Sequence, residues 1–224
     1  MQIGLNCYFE GQSKDLPPVE FIESVLTDSI AIDDWNRDGL NSFPYFLRNV
    51  HTHTMENKQT DYLDKVQSVD LQRCHLGGCM SDLAYCMSLM VNLSSVTFVE
   101  CILNDRIEEG ALSGATSNPV GSAALWAHHF KKMKNLQELH LLACSLTGKD
   151  ITHIAPALCD LPNLVELNIH VNDALGGSAA SWADHFKKME NLQKLNLSCC
   201  SLTVEDVTHI VPALCDLPNL VKLV

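Results

Sequence analysis

Two stretches of this chain are near-copies of each other. Residues Ala123 to Leu167 and Ala179 to Leu223 are offset by 56 positions and agree at 33 of 45. A fixed-period repeat restricts the fold more tightly than composition does, because no unit can bury its apolar face alone and neighbours must stack into an array. The 56 residues divide again. Leu136, Leu139, Leu141, Cys144 and Leu146 follow the pattern L-x-x-L-x-L-x-x-C/N-x-L. Leu164, Leu167, Ile169, Asn172 and Leu175 repeat it 28 residues later, and Leu192, Leu195, Leu197, Cys200 and Leu202 another 28 on. Leu220 and Leu223 open a further unit. Looser copies precede these: Val66, Val69, Leu71, Cys74, Leu76, then Leu93, Val96, Phe98, Cys101, Leu103.

The pattern is the leucine-rich-repeat signature, and a 28-residue unit resembles the ribonuclease-inhibitor-like subclass. Its x-L-x-L-x core predicts a short strand with two leucines pointing inward and their neighbours outward. The second half of each unit changes period. Ile151, Ile154, Ala155 and Leu158 form one helical stripe, as do Ala179, Trp182, Ala183 and Phe186. The expected fold is an α/β solenoid over residues 63–224, with parallel strands on the concave face and helices on the convex one. Pro156 and Pro212 fall inside helical stripes, where proline removes a hydrogen bond and clashes with the preceding turn. A short, bent or late-starting helix is expected there, and uninterrupted helices around Ser178 to Met189 and Ser122 to Met133. A surplus near 105–119, rich in Gly, Ser and Thr, reads as a loop inserted in one repeat, a lengthening that costs little.

The formal net charge of −12 disfavours non-specific attraction to nucleic acid or anionic membranes. The first residues have no basic n-region followed by an apolar run, and no run of about 18 apolar residues occurs. The ten cysteines sit at repeat positions rather than as a disulfide framework. A cytoplasmic setting is expected.

Residues 1–62 lack the leucine ladder. Val19, Ile22, Val25, Leu26 and Ile30 make a helical stripe behind Pro17 and Pro18, and Leu40, Phe43, Leu47 and Val50 suggest a second helix weakened by Pro44. An all-helical segment is therefore expected ahead of the repeats. Here LNCYFEGQSKDLPPVEFIESVL (Leu5 to Leu26), followed by VQSVDLQRCHL (Val66 to Leu76), resembles the junction of NACHT-LRR (NLR) innate immune receptors, where the last helical subdomain of the nucleotide-binding module runs into the first repeats. Cys7, Tyr8, Glu10 and the Val-Asp-Leu-x-x-Cys strand carry the resemblance. It implies a sensor and autoinhibitory module that binds a protein or large ligand, with self-association through the parent receptor. A P-loop is absent, and the chain stops within a strand, so a fragment of a larger receptor is expected. A free-standing ribonuclease-inhibitor-type or GTPase-regulating scaffold is the other reading.

Several residues invite chemistry. Cys74, Cys101, Cys144 and Cys200 share one ladder position with Asn172. They read as inward side chains bonded to neighbouring backbone rather than a metal or redox cluster, since stacking them gives no tetrahedral convergence. His51, His53 and the pair His128 and His129 lack a third ligand at supporting spacing, and His128 is matched by Asp184 in the duplicate. They read as solvent-exposed. Trp126, Phe130, Trp182 and Phe186 lie on the inner helical stripe and read as core. Lys131, Lys132, Lys187 and Lys188 read as a solvated helix face. No nucleophile elbow, H-E-x-x-H or G-x-G-x-x-G occurs. The chain reads as non-enzymatic, with no metal or cofactor, and an enzyme would have to rest on His51 and His53.

The candidate ligand-binding residues come from where the copies differ. On the outward strand positions Glu138 pairs with Lys194, His140 with Asn196, Leu142 with Ser198, and Glu166 with Lys222, and all four pairs differ. The inward positions Leu136/Leu192, Leu139/Leu195, Leu141/Leu197 and Cys144/Cys200 are all identical. Free drift of exposed residues would explain this, yet His129/His185, Gln137/Gln193 and His153/His209, also read as exposed, did not drift. The alternative is a recognition surface on the concave face, made of Glu138, His140, Leu142, Glu166, Asn168, His170, Lys194, Asn196 and Ser198, for a protein or large ligand.

Overall fold

The computed structural model of the chain describes residues 16–35, 37–57, 60–103 and 122–224. The insertion expected near 105–119 and the Cys7, Tyr8, Glu10 cluster lie outside the described residues. Helix α1 (Val19–Val25) begins behind Pro18 at its N-cap. Strand β1 (Ser29–Asp33), helix α2 (Arg37–Glu56), a 3-10 turn (Tyr62–Lys65), β2 (Ser68–Gln72), α3 (Met80–Met87) and β3 (Ser95–Val99) follow. After them come α4 (Ser122–Phe130), β4 (Glu138–Leu142), α5 (Gly148–Leu158), β5 (Glu166–Asn168), a 3-10 turn (Ala179–Ser181), α6 (Ala183–Phe186), β6 (Lys194–Asn196), α7 (Val204–Cys215) and β7 (Lys222–Leu223).

The seven strands form one sheet in chain order, each parallel to the next. Parallel neighbours need a crossover, and here every crossover carries a helix. The helices pack in the same order, α2 on α3, α3 on α4, α4 on α5, α5 on α6 and α6 on α7. This is the expected solenoid. Its core lies between the layers: Val69, Leu71, Val96, Phe98, Leu139 and Leu141 from the strands are at most 1% exposed, and Trp126, Phe130, Trp182 and Phe186 from the helices likewise. Trp126 meets Phe130 with ring centroids 5.3 Å apart, and Trp182 meets Phe186 at 5.4 Å.

Ahead of the repeats, α1 and α2 are helical as expected, but a strand lies between them. Ile30 belongs to β1, not to the α1 stripe. β1 pairs in register with β2, Ile30 opposite Val69 and Ile32 opposite Leu71, and all four side chains are buried. Trp35 then takes the place that Cys74 holds in the next unit, packed edge-on against Phe43. The segment is thus built into the solenoid as an enlarged unit, α2 being its crossover helix.

Three of the repeat helices depart from the expectation drawn from proline. α5 and α7 contain Pro156 and Pro212 yet run 11 and 12 residues, starting directly after their caps. Each opens on a capping box, Thr147 with Asp150 and Thr203 with Asp206, which satisfies two otherwise orphaned N–H groups reciprocally. Pro156 and Pro212 are solvent-exposed near the C-terminal ends, so the carbonyl each leaves undonated can turn to water. Of the two stretches without proline, Ser122–Phe130 is one unbroken helix as expected, but the other is broken: Ala179–Ser181 is 3-10, Trp182 sits at φ −133°, and α6 has four residues. Its Ser178 makes no cap. The hydroxyl donates to the Leu175 carbonyl and accepts the Trp182 indole N–H at 2.9 Å. The N–H groups of Gly177 and Ala179 donate instead to Asp206 of the following unit, at 2.7 and 2.9 Å.

The ladder position behaves as predicted. The thiols of Cys101, Cys144 and Cys200 donate to the backbone carbonyls of Leu71, Phe98 and Ile169 in the preceding unit, at 3.1, 3.5 and 3.2 Å. The Asn172 amide bridges the Leu141 and Ile169 carbonyls at 2.8 and 2.7 Å, and its oxygen accepts from the Leu146 N–H. Burial pushes the Cys144 thiol up to about 12. Immediately before this position the backbone turns left-handed in every unit: Asp34, Arg73, Glu100, Ala143, Val171 and Cys199 have φ between 51° and 57°. Non-glycine residues pay roughly 1–2 kcal/mol for that conformation. The return is a bond across the sheet, since the N–H groups of Asp34, Arg73, Glu100, Ala143 and Val171 each reach a carbonyl of the following strand segment at 2.8–3.1 Å.

Candidate ligand-recognition surface

Because inward and outward residues alternate, the candidate residues share one face. In β4, Leu139 and Leu141 are fully buried, while Glu138 is exposed and His140 and Leu142 are half-buried. Register then aligns them into rows across the sheet, on the side away from the helices. One row runs Glu138, Glu166, Lys194, Lys222 and the next His140, Asn168, Asn196. Leu142, His170 and Ser198 follow two residues further along each unit.

Glu166 joins the rows. Its carboxylate accepts from Lys194 Nζ at 2.8 Å and stands 3.3 Å from His140 Nε2, which completes no hydrogen bond. The Lys194 hydrogen bond, opposed by partial burial, holds the Glu166 carboxyl below its ordinary value, and Lys194 is raised in turn. His170 Nδ1 lies 2.7 Å from the Ser198 hydroxyl, which donates to Asn196 Oδ1 at 2.6 Å. Asn168 and Asn196 each accept the backbone N–H two residues on, from His170 and Ser198, at 3.1 and 3.0 Å. These side chains are held by their neighbours, so presenting them to a partner costs little further ordering.

The same rows extend across strands the copy comparison did not reach. Ser95 lies opposite Glu138 and donates to its carboxylate at 3.2 Å. Asp70 and Thr97 continue the His140 row, and Gln72 and Val99 the Leu142 row. Asp33 pairs with Arg73 near the β1 edge. The signal was available: Val69/Leu71 and Val96/Phe98 mark these strands, and their flanking residues point outward by the same alternation. What was missing was a second copy to compare. The strand rows carry Asp33, paired with Arg73, and Asp70 and Glu138 toward β1, and Lys194 and Lys222 toward β7. The cavity over β5 to β7, lined by Glu166, Asn168, Lys194, Asn196 and Lys222, measures about 70 Å³. That is well below the ~300 Å³ at which small-molecule pockets begin.

The histidines depart from expectation. Only His128 of the four is exposed. His51 is half-buried and ion-paired to Asp61, whose carboxylate also caps the Leu63 N–H at 3.0 Å. His129 is half-buried edge-on against Tyr85, and burial, then Lys132, lowers its pKa. His185 and His153 are likewise half-buried, so their identity between copies is no measure of drift at exposed sites. Among the described residues no three or more His, Cys, Asp or Glu side chains are grouped to hold a metal ion. Among the same residues no helix is long and apolar enough to cross a membrane.

The family model described as Leucine Rich Repeat matches residues 191–217, the stretch holding β6 and α7. That matched repeat, with seven parallel strands in chain order and a helix in each crossover, supports a leucine-rich-repeat protein. Such domains are generally protein-binding modules.

Proposed function

We propose that the outward sheet face is a recognition surface for a protein partner, and that the chain is the sensor part of an NLR-like cytoplasmic receptor, contributing to its autoinhibition. The observation that carries the binding reading is the register. The four strand differences between the copies fall into adjacent rows on one face, pre-ordered around Glu166. Leucine-rich repeats generally bind proteins, and a broad, mixed-sign face suits charge complementarity. The receptor reading rests on the sequence resemblance at Val66 to Leu76 and in the first 26 residues. A specific observation favours the second reading, a free-standing interaction scaffold: β1 makes the N-terminal segment part of the solenoid rather than a separate helical module.

The binding reading is tested by selecting partners on immobilised protein and re-measuring each with E138A, H140A, E166A and K194A. Loss of binding at unchanged melting temperature is expected. Retention in all four, with loss on substituting the helix side, would refute it. The receptor reading is tested by sequencing full-length transcripts for an upstream P-loop module; transcripts with in-frame stops ahead of Met1 and no such module would exclude it.

A further inference from the structure

On the opposite side of the solenoid, α4 and α5 flank a groove of about 260 Å³. Ala124, Ala127 and Ala157 form its floor, short side chains that leave a channel between the helices. His128, Lys131, His153 and Asp160 stand around it. His128 is exposed, Lys131 and His153 half-buried. Lys134 Nζ donates to the Asp160 backbone carbonyl at 2.9 Å, which fixes a further ammonium at that end.

The duplicate supplies a control within the same chain. It keeps the alanines and has Lys187, His209 and Asp216 at the matching positions, but Asp184 replaces His128 and Glu190 replaces Lys134. At the start of the helix Glu205 replaces Lys149. Among the described residues, Lys131 and Lys134 stand about the first groove with Asp160. The matching positions of the duplicate set Lys187 against Asp184, Glu190 and Asp216. Lys187 is also occupied, since Asp184 pairs with it at 2.9 Å, whereas Lys131 has a histidine in that place. On a chain of net charge −12 this is a local reversal of sign. Screening confines its reach to roughly 8 Å at physiological salt, so a ligand must enter the groove to feel it.

We propose that the groove between α4 and α5 is a docking site for an acidic, glutamate- or aspartate-rich segment of a partner protein. The lysines and His128 meet the carboxylates, and the alanine floor takes an apolar side chain between them. The site is independent of the sheet face: its residues lie on the helices and its partner carries the charge opposite to its own.

The test is fluorescence anisotropy on the whole chain with a labelled glutamate-rich peptide carrying one central leucine, at physiological ionic strength. Saturable one-to-one binding is expected, weakened about tenfold in H128D/K134E, which gives the groove the duplicate's chemistry. K131Q, a single neutral change, should weaken it about threefold. Melting temperatures report that both variants are folded. No binding by the wild type, or unaltered affinity in both folded variants, overturns the proposal. Loss in K194E/K222E but not in H128D/K134E would place the peptide on the sheet face and overturn it equally. Equal binding of a lysine-rich peptide would show that charge does not select the occupant and would also sink it.

Discussion

The two copies differ at 12 of 45 positions, and the charge changes among them sort by face. On the helix side His128, Lys134 and Lys149 become Asp184, Glu190 and Glu205; on the sheet Glu138 and Glu166 become Lys194 and Lys222. The first copy is thus basic on its helices and acidic on its strands, and the second is the reverse. A third group sits where one unit meets the next. Gly148, Ile151 and Ala155 are buried by the following unit, while their counterparts Val204, Val207 and Val211 are 86%, 46% and 47% exposed. The comparison shows one scaffold carrying two surfaces that can be tuned independently, because neither set of side chains enters the core.

The largest expected effect separates the two capping aspartates. Asp150 accepts from the Thr147 N–H and hydroxyl. Asp206 makes the equivalent bonds and also holds Gly177 and Ala179. Denaturant unfolding of D206A should show a loss of roughly 3 kcal/mol and of D150A about 1 kcal/mol; equal losses would mean the inter-unit bonds add nothing. The pH dependence follows. Burial pushes the Asp206 carboxyl up, but the N–H groups of Ala179, Thr203 and Gly177 outweigh it and hold it far below the ordinary aspartate value. A depressed folded pKa stabilises above the unfolded value of about 3.9 and is lost as the pH falls through the folded value. Acidification should therefore cost wild type more stability, relative to its neutral value, than it costs D206N, which has no carboxylate to protonate there.

Next comes the exchange of Gly148 and Val204. A Cβ on residue 148 would stand 2.2 Å from Ser178 Cβ and Oγ. G148V should cost roughly 1–3 kcal/mol by overpacking, whereas V204G, at an exposed helix start, should cost less than about 1 kcal/mol. The smallest effect is the Glu166–Lys194 pair. K194A should leave the melting temperature almost unchanged while returning the Glu166 carboxyl toward its ordinary value, read by NMR titration. The stability lost with it is present only above the ordinary glutamate range near pH ~4.3 and fades below it. A Glu166 titration unmoved by K194A would show that burial and His140, rather than Lys194, set its charge.

Much of this was legible without coordinates. The 28-residue period placed β2 to β7, the shared Cys/Asn position was recognisably a backbone-bonding ladder, and the tryptophans and phenylalanines fell on the inner stripe. Each is local: alternation and spacing decide it. β1 escaped because Ile30 also completes a helical spacing from Val19, and Trp35 stands where the template has Cys or Asn. The proline helices were misjudged because capping by Thr147/Asp150 and Thr203/Asp206 outweighs one missing bond near an exposed end. The interrupted Ala179 to Phe186 stretch was misjudged because its first N–H groups are claimed by Asp206, distant in sequence.

The outward surface was half visible. Which strand residues face out follows from alternation, but Glu166 bridging His140 and Lys194 depends on strand register. The sequence by itself determined the repeat, the inward residues and the places where the copies diverge, because periodicity is a property of the chain. Only the tertiary structure decided that β1 joins the sheet, that Asp206 caps its neighbour, and that the divergent charges gather on two opposite faces. Those are relations between units, set by packing across distances that spacing along the chain does not encode.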